Sequence, residues 1–152
     1  MKKLLKLTVN GELYELYVEP WRTLQEVLRG ELQLTGTKKG CKTGYCGSCT
    51  VLIDGKPVKS CLIMARQAQD KDILTVEGLS RNGELDPLQE SFISGFAVQC
   101  GFCTPGMLMS AKGLLMKNPQ PSEREIKEAI IGNLCRCTGY KKIVESIKMS
   151  TK

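Results

Sequence analysis

The chain is 152 residues long, with 22 Lys and Arg against 16 Asp and Glu, a formal charge of +6, eight cysteines and no histidine. Without histidine there is no His-ligated zinc, no histidine-bound haem and no Rieske-type centre, and the commonest general base is missing. Scattered lysines with only 5% aromatic residues give no stacking platform for nucleic acid, and no apolar run approaches the roughly 18 residues of a membrane span.

Met1 to Val9 alternates in hydropathy and is interrupted by Lys6, unlike a secretory signal, so the expected location is the cytoplasm. There thiols stay reduced, and eight cysteines point to metal rather than to disulfides. No P-loop, GxGxxG or Ser-His pair occurs, so the chemistry is expected to belong to a bound cofactor.

Leu4 to Val9 and Leu13 to Val18 read as strands about Asn10-Gly11, a strong hairpin signal. After Pro20, Thr23 with Glu26 forms a capping box for a short helix through Leu24, Val27 and Leu28, ending near Leu32. Thr50 to Ile53 and Val58 to Ser60 flank Asp54-Gly55 as a second hairpin with Cys61 at its return, and Ile73 to Val76 is the last expected strand. Hairpin, helix, loop, hairpin and strand is a β-grasp-like order.

Near Gly78 the pattern turns helical, and the domain boundary is drawn there. Asp86, Pro87 and Gln89 open a helix with Leu88, Phe92 and Phe96 as its buried stripe, and Thr104-Pro105 opens a second with Met107, Leu108, Ala111, Leu114 and Leu115 as core. Ser122 and Glu125 box a third helix, with Ile126, Ala129 and Ile130, running toward Asn133, and Thr138 is expected to cap a fourth through Ile143 and Ile147. The fold class is therefore α+β: a β-grasp domain over residues 1–78 followed by an all-α four-helix domain over 79–152.

The cysteines fall into two sets. In GCKTGYCGSCTVLIDGKPVKSC, four residues separate Cys41 from Cys46, two separate Cys46 from Cys49 and eleven separate Cys49 from Cys61, which is the plant-type spacing for a [2Fe–2S] cluster. Zinc knots usually pair two short hooks across a gap, whereas here three cysteines crowd one loop. Gly40, Gly44 and Gly47 let the main chain pass close to a cluster and point N–H groups at its sulfurs. The second set, Cys100, Cys103, Cys135 and Cys137, is a C-x2-C and a C-x-C at two helix junctions that can meet at one end of a bundle. Helix N-termini at Thr104 and Thr138 would favour thiolate charge there. By itself that spacing is open between zinc and iron–sulfur. Positive charge on the chain would help offset two anionic clusters.

GTKKGCKTGYCGSCTVLIDG, QCGFCTPGM and GNLCRCTGY together resemble the signatures of the iron–sulfur subunit of the molybdenum hydroxylases, the xanthine dehydrogenase and aldehyde oxidoreductase family, and the likeness runs over about residues 1 to 150. The resemblance implies a plant-type ferredoxin-like domain and a helical domain, each with one [2Fe–2S] cluster on four cysteines, so that all eight are metal ligands. It implies an electron-transfer subunit without catalytic residues, passing electrons from a molybdopterin cofactor in a large subunit to FAD in a medium subunit. The helical-domain cluster would lie nearer the pterin, with Gln99 and the surroundings of Cys137 touching that cofactor. Because the family often joins these parts in one polypeptide and this sequence ends at Lys152, partner chains and a dimer of heterotrimers are expected. The substrate class implied is a purine or other N-heterocycle, or an aldehyde. Tyr45 and Ser48 depart from the commonest family pattern without removing a ligand, and Tyr45 is open between shielding the cluster or meeting the flavin subunit and peripheral packing. The competing readings are a free-standing two-cluster carrier and a zinc-stabilised binding module.

Overall fold

In the computed structural model, which describes residues 1–151, the chain forms one five-stranded sheet and five α-helices, a mixed α+β fold. Lys152, the last residue of the expected helical unit, lies outside the described residues.

Strands β1 (Lys3–Val9) and β2 (Glu12–Val18) pair antiparallel about Asn10 and Gly11, whose φ angles are +53° and +84°. Two successive positive φ values make a turn whose twist matches that of the strands. Asn10 also anchors the segment that leaves the sheet: its amide donates to Thr75 Oγ1 and its Oδ1 accepts from the Thr75 N–H, both at 2.9 Å.

β3 (Thr50–Ile53) and β4 (Lys56–Lys59) form the second hairpin about Asp54 and Gly55, again with positive φ. β5 covers Asp72–Leu74, shorter than the expected 73–76, because Thr75 bonds to the Asn10 side chain and Val76–Gly78 coil into a 3₁₀ turn. The order is β2-β1-β5-β3-β4, with β5 parallel to β1 and antiparallel to β3.

Helix α1 (Leu24–Gly30) has the expected Thr23/Glu26 capping box and lays Leu24, Val27 and Leu28 on Leu5, Leu7, Val51 and Ile73. All four residues of β3 are buried, since Val51 and Ile53 face that cluster while Leu52 points the other way into the helices. Alternation along the strand makes β3 the shared wall of two cores.

Toward the C-terminus come four more helices: α2 (Pro87–Ser94), α3 (Thr104–Lys117), α4 (Glu123–Ile130) and α5 (Lys141–Met149). The capping boxes Asp86/Gln89 and Ser122/Glu125 form as expected. Leu88, Phe92, Met107, Ile126, Ile143 and Ile147 fill the core between them, each stabilising by about 1.5–3 kcal/mol relative to exposure. Phe96 does not join that stripe. The helix ends at Ser94, Phe96 takes a φ of +55° and is 79% exposed, and Ala97 is buried in its stead.

Two further boundaries differ from expectation for a common reason. α4 stops at Ile130, short of Asn133, whose side chain is drawn into the sheet–helix junction. α5 starts at Lys141 after Tyr140 in the left-handed region, and Thr138 is no cap: its hydroxyl meets Cys135 Sγ at 3.0 Å and its N–H points at the same sulfur. At both places a side chain serves the junction instead of the helix.

Candidate metal centres

The Gly40–Cys49 loop wraps inward through three positive φ angles, +61° at Lys42, +76° at Gly44 and +72° at Gly47. A Cβ on Gly44 would lie 2.3 Å from Leu62, and one on Gly40 would lie 2.8 Å from Cys46 Sγ. Cys61 reaches the loop from the 3₁₀ turn Ser60–Leu62, where the Ser60 hydroxyl donates to the Cys49 carbonyl at 2.7 Å.

Main-chain donors converge on the sulfurs. The Thr43 and Cys46 N–H groups point at Cys41 Sγ from 3.4 and 3.3 Å, and the Ser48 hydroxyl lies 3.1 Å from Cys46 Sγ. Contacts from the Thr43 hydroxyl, then from the Cys46 and Thr43 amides, hold the Cys41 thiol down to about 6. Cys61 behaves oppositely: burial and the neighbouring Cys49 sulfur push it up to about 11.

The structure brings the second set together in the same way. Cys100 and Cys137 lie within hydrogen-bonding reach of each other, as do Cys103 and Cys135. Cys103 sits at the N-terminus of α3, where burial, then Cys135, pushes its thiol up to about 12. Burial also acts to raise Cys135, but the Thr138 hydroxyl and amide outweigh it and leave that thiol below its ordinary value. Each site thus joins a sulfur that ionises readily to one that keeps its proton until a cation arrives, so loading releases protons.

In both sites the sulfurs meet two by two: Cys41 with Cys46, Cys49 with Cys61, Cys100 with Cys137 and Cys103 with Cys135. Among the described residues no three His, Cys, Asp or Glu side chains surround one ion-sized point. Two pairs with N–H groups aimed at the sulfurs fit a two-iron cluster, in which each iron takes two protein thiolates.

The sites differ in exposure. Cys49 and Cys61 are buried, whereas Cys100 and Cys137 are exposed, as is Gln99 next to Cys100; Phe102 and Leu134, exposed too, lie against the first cysteine loop at Gly40 and Cys46. Tyr45 is 76% exposed, so most of its ring lies outside this chain's own packing. Sequence reasoning missed Asn133 and Tyr140. The Tyr140 hydroxyl accepts from the Cys135 N–H at 2.9 Å, and Asn133 Nδ2 donates to the Gly47 carbonyl at 3.0 Å. Their only sequence signal is their place in the GNLCRCTGY run.

Residues 75–148 match the family described as "[2Fe-2S] binding domain", and residues 14–93 match "2Fe-2S iron-sulfur cluster binding domain". The nicotinate dehydrogenase small FeS subunit of Eubacterium barkeri is 45% identical over 97% of this chain and 94% of its own length. The xanthine dehydrogenase iron-sulfur-binding subunit of Escherichia coli O157:H7 is 43% identical over 94% of this chain and 91% of its own length. The chain belongs to the molybdenum hydroxylase iron–sulfur subunits. Within that family a crystallised member, quinoline 2-oxidoreductase from Pseudomonas putida 86, superposes with a TM-score of 0.95 at 49% identity, covering 99% of this chain and 94% of that one. The family is one of iron–sulfur subunits of oxidoreductases, and a [2Fe–2S] cluster supplies it with one-electron chemistry. No helix of the described residues is long and apolar enough to cross a membrane.

Proposed function

We propose that this chain is the electron relay of a molybdopterin-dependent hydroxylase, with a plant-type cluster on Cys41, Cys46, Cys49 and Cys61 and a second on Cys100, Cys103, Cys135 and Cys137. The first belongs to a ferredoxin-like β-grasp unit over residues 1–78 and the second to a four-helix unit from residue 79 onward. Electrons enter at the second cluster from a molybdopterin cofactor in a large subunit and leave from the first to FAD in a medium subunit, in a cytoplasmic dimer of heterotrimers.

The observation that carries this reading is the asymmetry between two linked sulfur sets. Cys100 and Cys137 open to the surface beside the exposed Gln99, a place for a partner-held cofactor, while the Leu134 N–H donates to the Cys46 carbonyl at 2.8 Å and ties one set to the other. In that arrangement the Gln99 amide is free to hydrogen-bond a pterin edge and Cys137 lies at its side. The chain's own work is confined to holding the sulfurs, donating N–H groups to them and keeping water from Cys49 and Cys61. Exposed Tyr45 marks a face for the flavin subunit.

The relatives of similar length are named for nicotinate, xanthine and quinoline, whereas the aldehyde oxidoreductases that also match are covered over only 16–17% of their own length, which favours an N-heterocycle over an aldehyde as the substrate class. Purification of the chain from its native source tests the reading. Co-elution with two larger chains, one carrying molybdenum and one flavin, and reduction of both clusters by an N-heterocycle are expected. A chain that elutes alone with two functional clusters would make it a free-standing carrier instead.

A further inference from the structure

Asn133 stands between the two sulfur sets, is 4% exposed, and uses both ends of its amide. Nδ2 donates to the Gly47 carbonyl at 3.0 Å and approaches Thr50 Oγ1 at 3.4 Å, while Oδ1 accepts from the Ser110 hydroxyl at 2.7 Å. Gly47 belongs to the first cysteine loop, Ser110 to α3, and Asn133 itself lies two residues before Cys135. One side chain therefore joins three segments that are far apart in sequence.

The junction has no spare room. A Cβ on Gly47 would lie 2.2 Å from the Gly132 carbonyl, and one on Gly106 would lie 2.4 Å from the Gly47 carbonyl. Both glycines bring backbone directly onto backbone, and the Leu134 N–H then reaches the Cys46 carbonyl. The Gly47 carbonyl also accepts from the Thr50 N–H at 3.1 Å and the Thr50 hydroxyl at 2.6 Å within its own loop, so the Asn133 amide is the donor that reaches it from across the junction while accepting from Ser110. A carboxylate would set an acceptor against the Gly47 carbonyl, and an apolar side chain would take from the buried Ser110 hydroxyl its acceptor and remove the link to Gly47.

We infer that Asn133 is a positioning residue for electron transfer between the clusters: it clamps the Cys46 loop to the Leu134–Cys135 segment and so fixes their separation. The inference rests on the two-cluster reading. Transfer between fixed centres falls steeply with distance, and a supporting shell that holds its site within about half an ångström is what such a step requires. Among the described residues Asn133 hydrogen-bonds to Ser110, Gly47 and Thr50 and to no sulfur, so its loss should move the relation between the clusters and leave each cluster itself alone.

The test uses the full chain loaded anaerobically, with N133A and the milder S110A, which removes the partner of Oδ1 but keeps the bond to Gly47. Iron content and the spectrum of each singly reduced cluster are expected to match wild type. The magnetic splitting seen when both clusters are reduced should weaken and broaden in N133A and partly so in S110A. Hydrogen exchange at the Leu134 amide should speed by about tenfold or more in N133A, the factor that 1.4 kcal/mol corresponds to, and several-fold in S110A. Wild-type splitting and wild-type exchange in a fully loaded variant would overturn the inference, and if N133A does not fold, S110A decides on the same two readouts. A wild-type chain without iron or reduced-state signals would overturn the two-cluster reading, a result distinguishable from an intact pair of clusters whose coupling ignores Asn133.

Discussion

Single side chains set the electrostatics around the sulfurs. Ser48, where the family more often has alanine, places its hydroxyl 3.1 Å from Cys46 Sγ. A donor at a cluster sulfur stabilises the reduced, more negative state and so raises the potential. S48A is expected to lower the potential of the first cluster by tens of millivolts, since a differential of about 1.4 kcal/mol is about 59 mV for a one-electron couple. Thr138→Val should do the same to the second cluster through the lost contact to Cys135. Redox titrations check both, and a rise in either variant would contradict the argument. The grouping of the cysteines was legible because spacing is a one-dimensional property, whereas Ser48 stood out only as a departure from the family pattern, with no role at a sulfur to be read from it. Asn133 was not legible, since its partner at Gly47 depends on where two junctions meet in space, and Thr138 was not, since a nearby sulfur competes with the helix for it. Propensity offered Thr138 a capping role, but its hydroxyl lies against a sulfur three residues back and accepts from the Tyr140 N–H just before the helix begins.

Helices and hairpins obey local chemistry more closely. Asn10-Gly11, Asp54-Gly55 and the three capping boxes stand where the sequence puts them, because each is complete within four residues. Ends fail where a tertiary partner intervenes, as at Asn133 and Thr75, whereas α2 stops in a local turn whose Ala97 N–H donates back to the Phe92 carbonyl and leaves Phe96 outside. Asp86 tests the caps most sharply. It accepts from the Leu88 N–H at 3.0 Å and from Lys112 Nζ at 2.5 Å, joining the start of α2 to α3. D86A should cost about 1–2 kcal/mol from the lost cap, a fall of roughly 2–8 °C in melting temperature for a chain of this size. An unchanged melt would show that water replaces the cap. At α1 the Thr23 amide holds the Glu26 carboxyl below its ordinary value of 4.5. A carboxylate with a depressed folded value stabilises above its unfolded value and loses that contribution as pH falls through the folded one. Wild type should therefore melt above E26Q at neutral pH, and the difference should shrink on acidification toward about pH 3. A widening gap would reverse the sign.

At the scale of the molecule, sheet and helices share β3. Leu52 buries itself among the helices, and α3 approaches the sheet so closely that a Cβ on Gly113 would lie 2.4 Å from Pro57 Cγ. A glycine in a helix interior is ordinarily improved by alanine, by up to about 1 kcal/mol. Here the methyl would strike a rigid ring on β4 and pry α3 from the sheet, so G113A should destabilise by about 1–3 kcal/mol. A stabilised variant would mean the two layers give way easily, and with them the fixed placement of the cysteine sets. The same packing bears on potential. Open plant-type ferredoxins lie near about −400 mV, and the proposed first cluster, with Cys49 and Cys61 already buried, should lie above that once partner subunits cover the loop. A titration of the assembled complex placing it well below that mark would contradict the direction of electron flow. All of this depends on four thiolates in each of two places holding two irons, and elemental analysis of anaerobically prepared chain measures it directly. About four irons and four acid-labile sulfides per polypeptide are expected. Fewer than about three irons without labile sulfide would contradict the account.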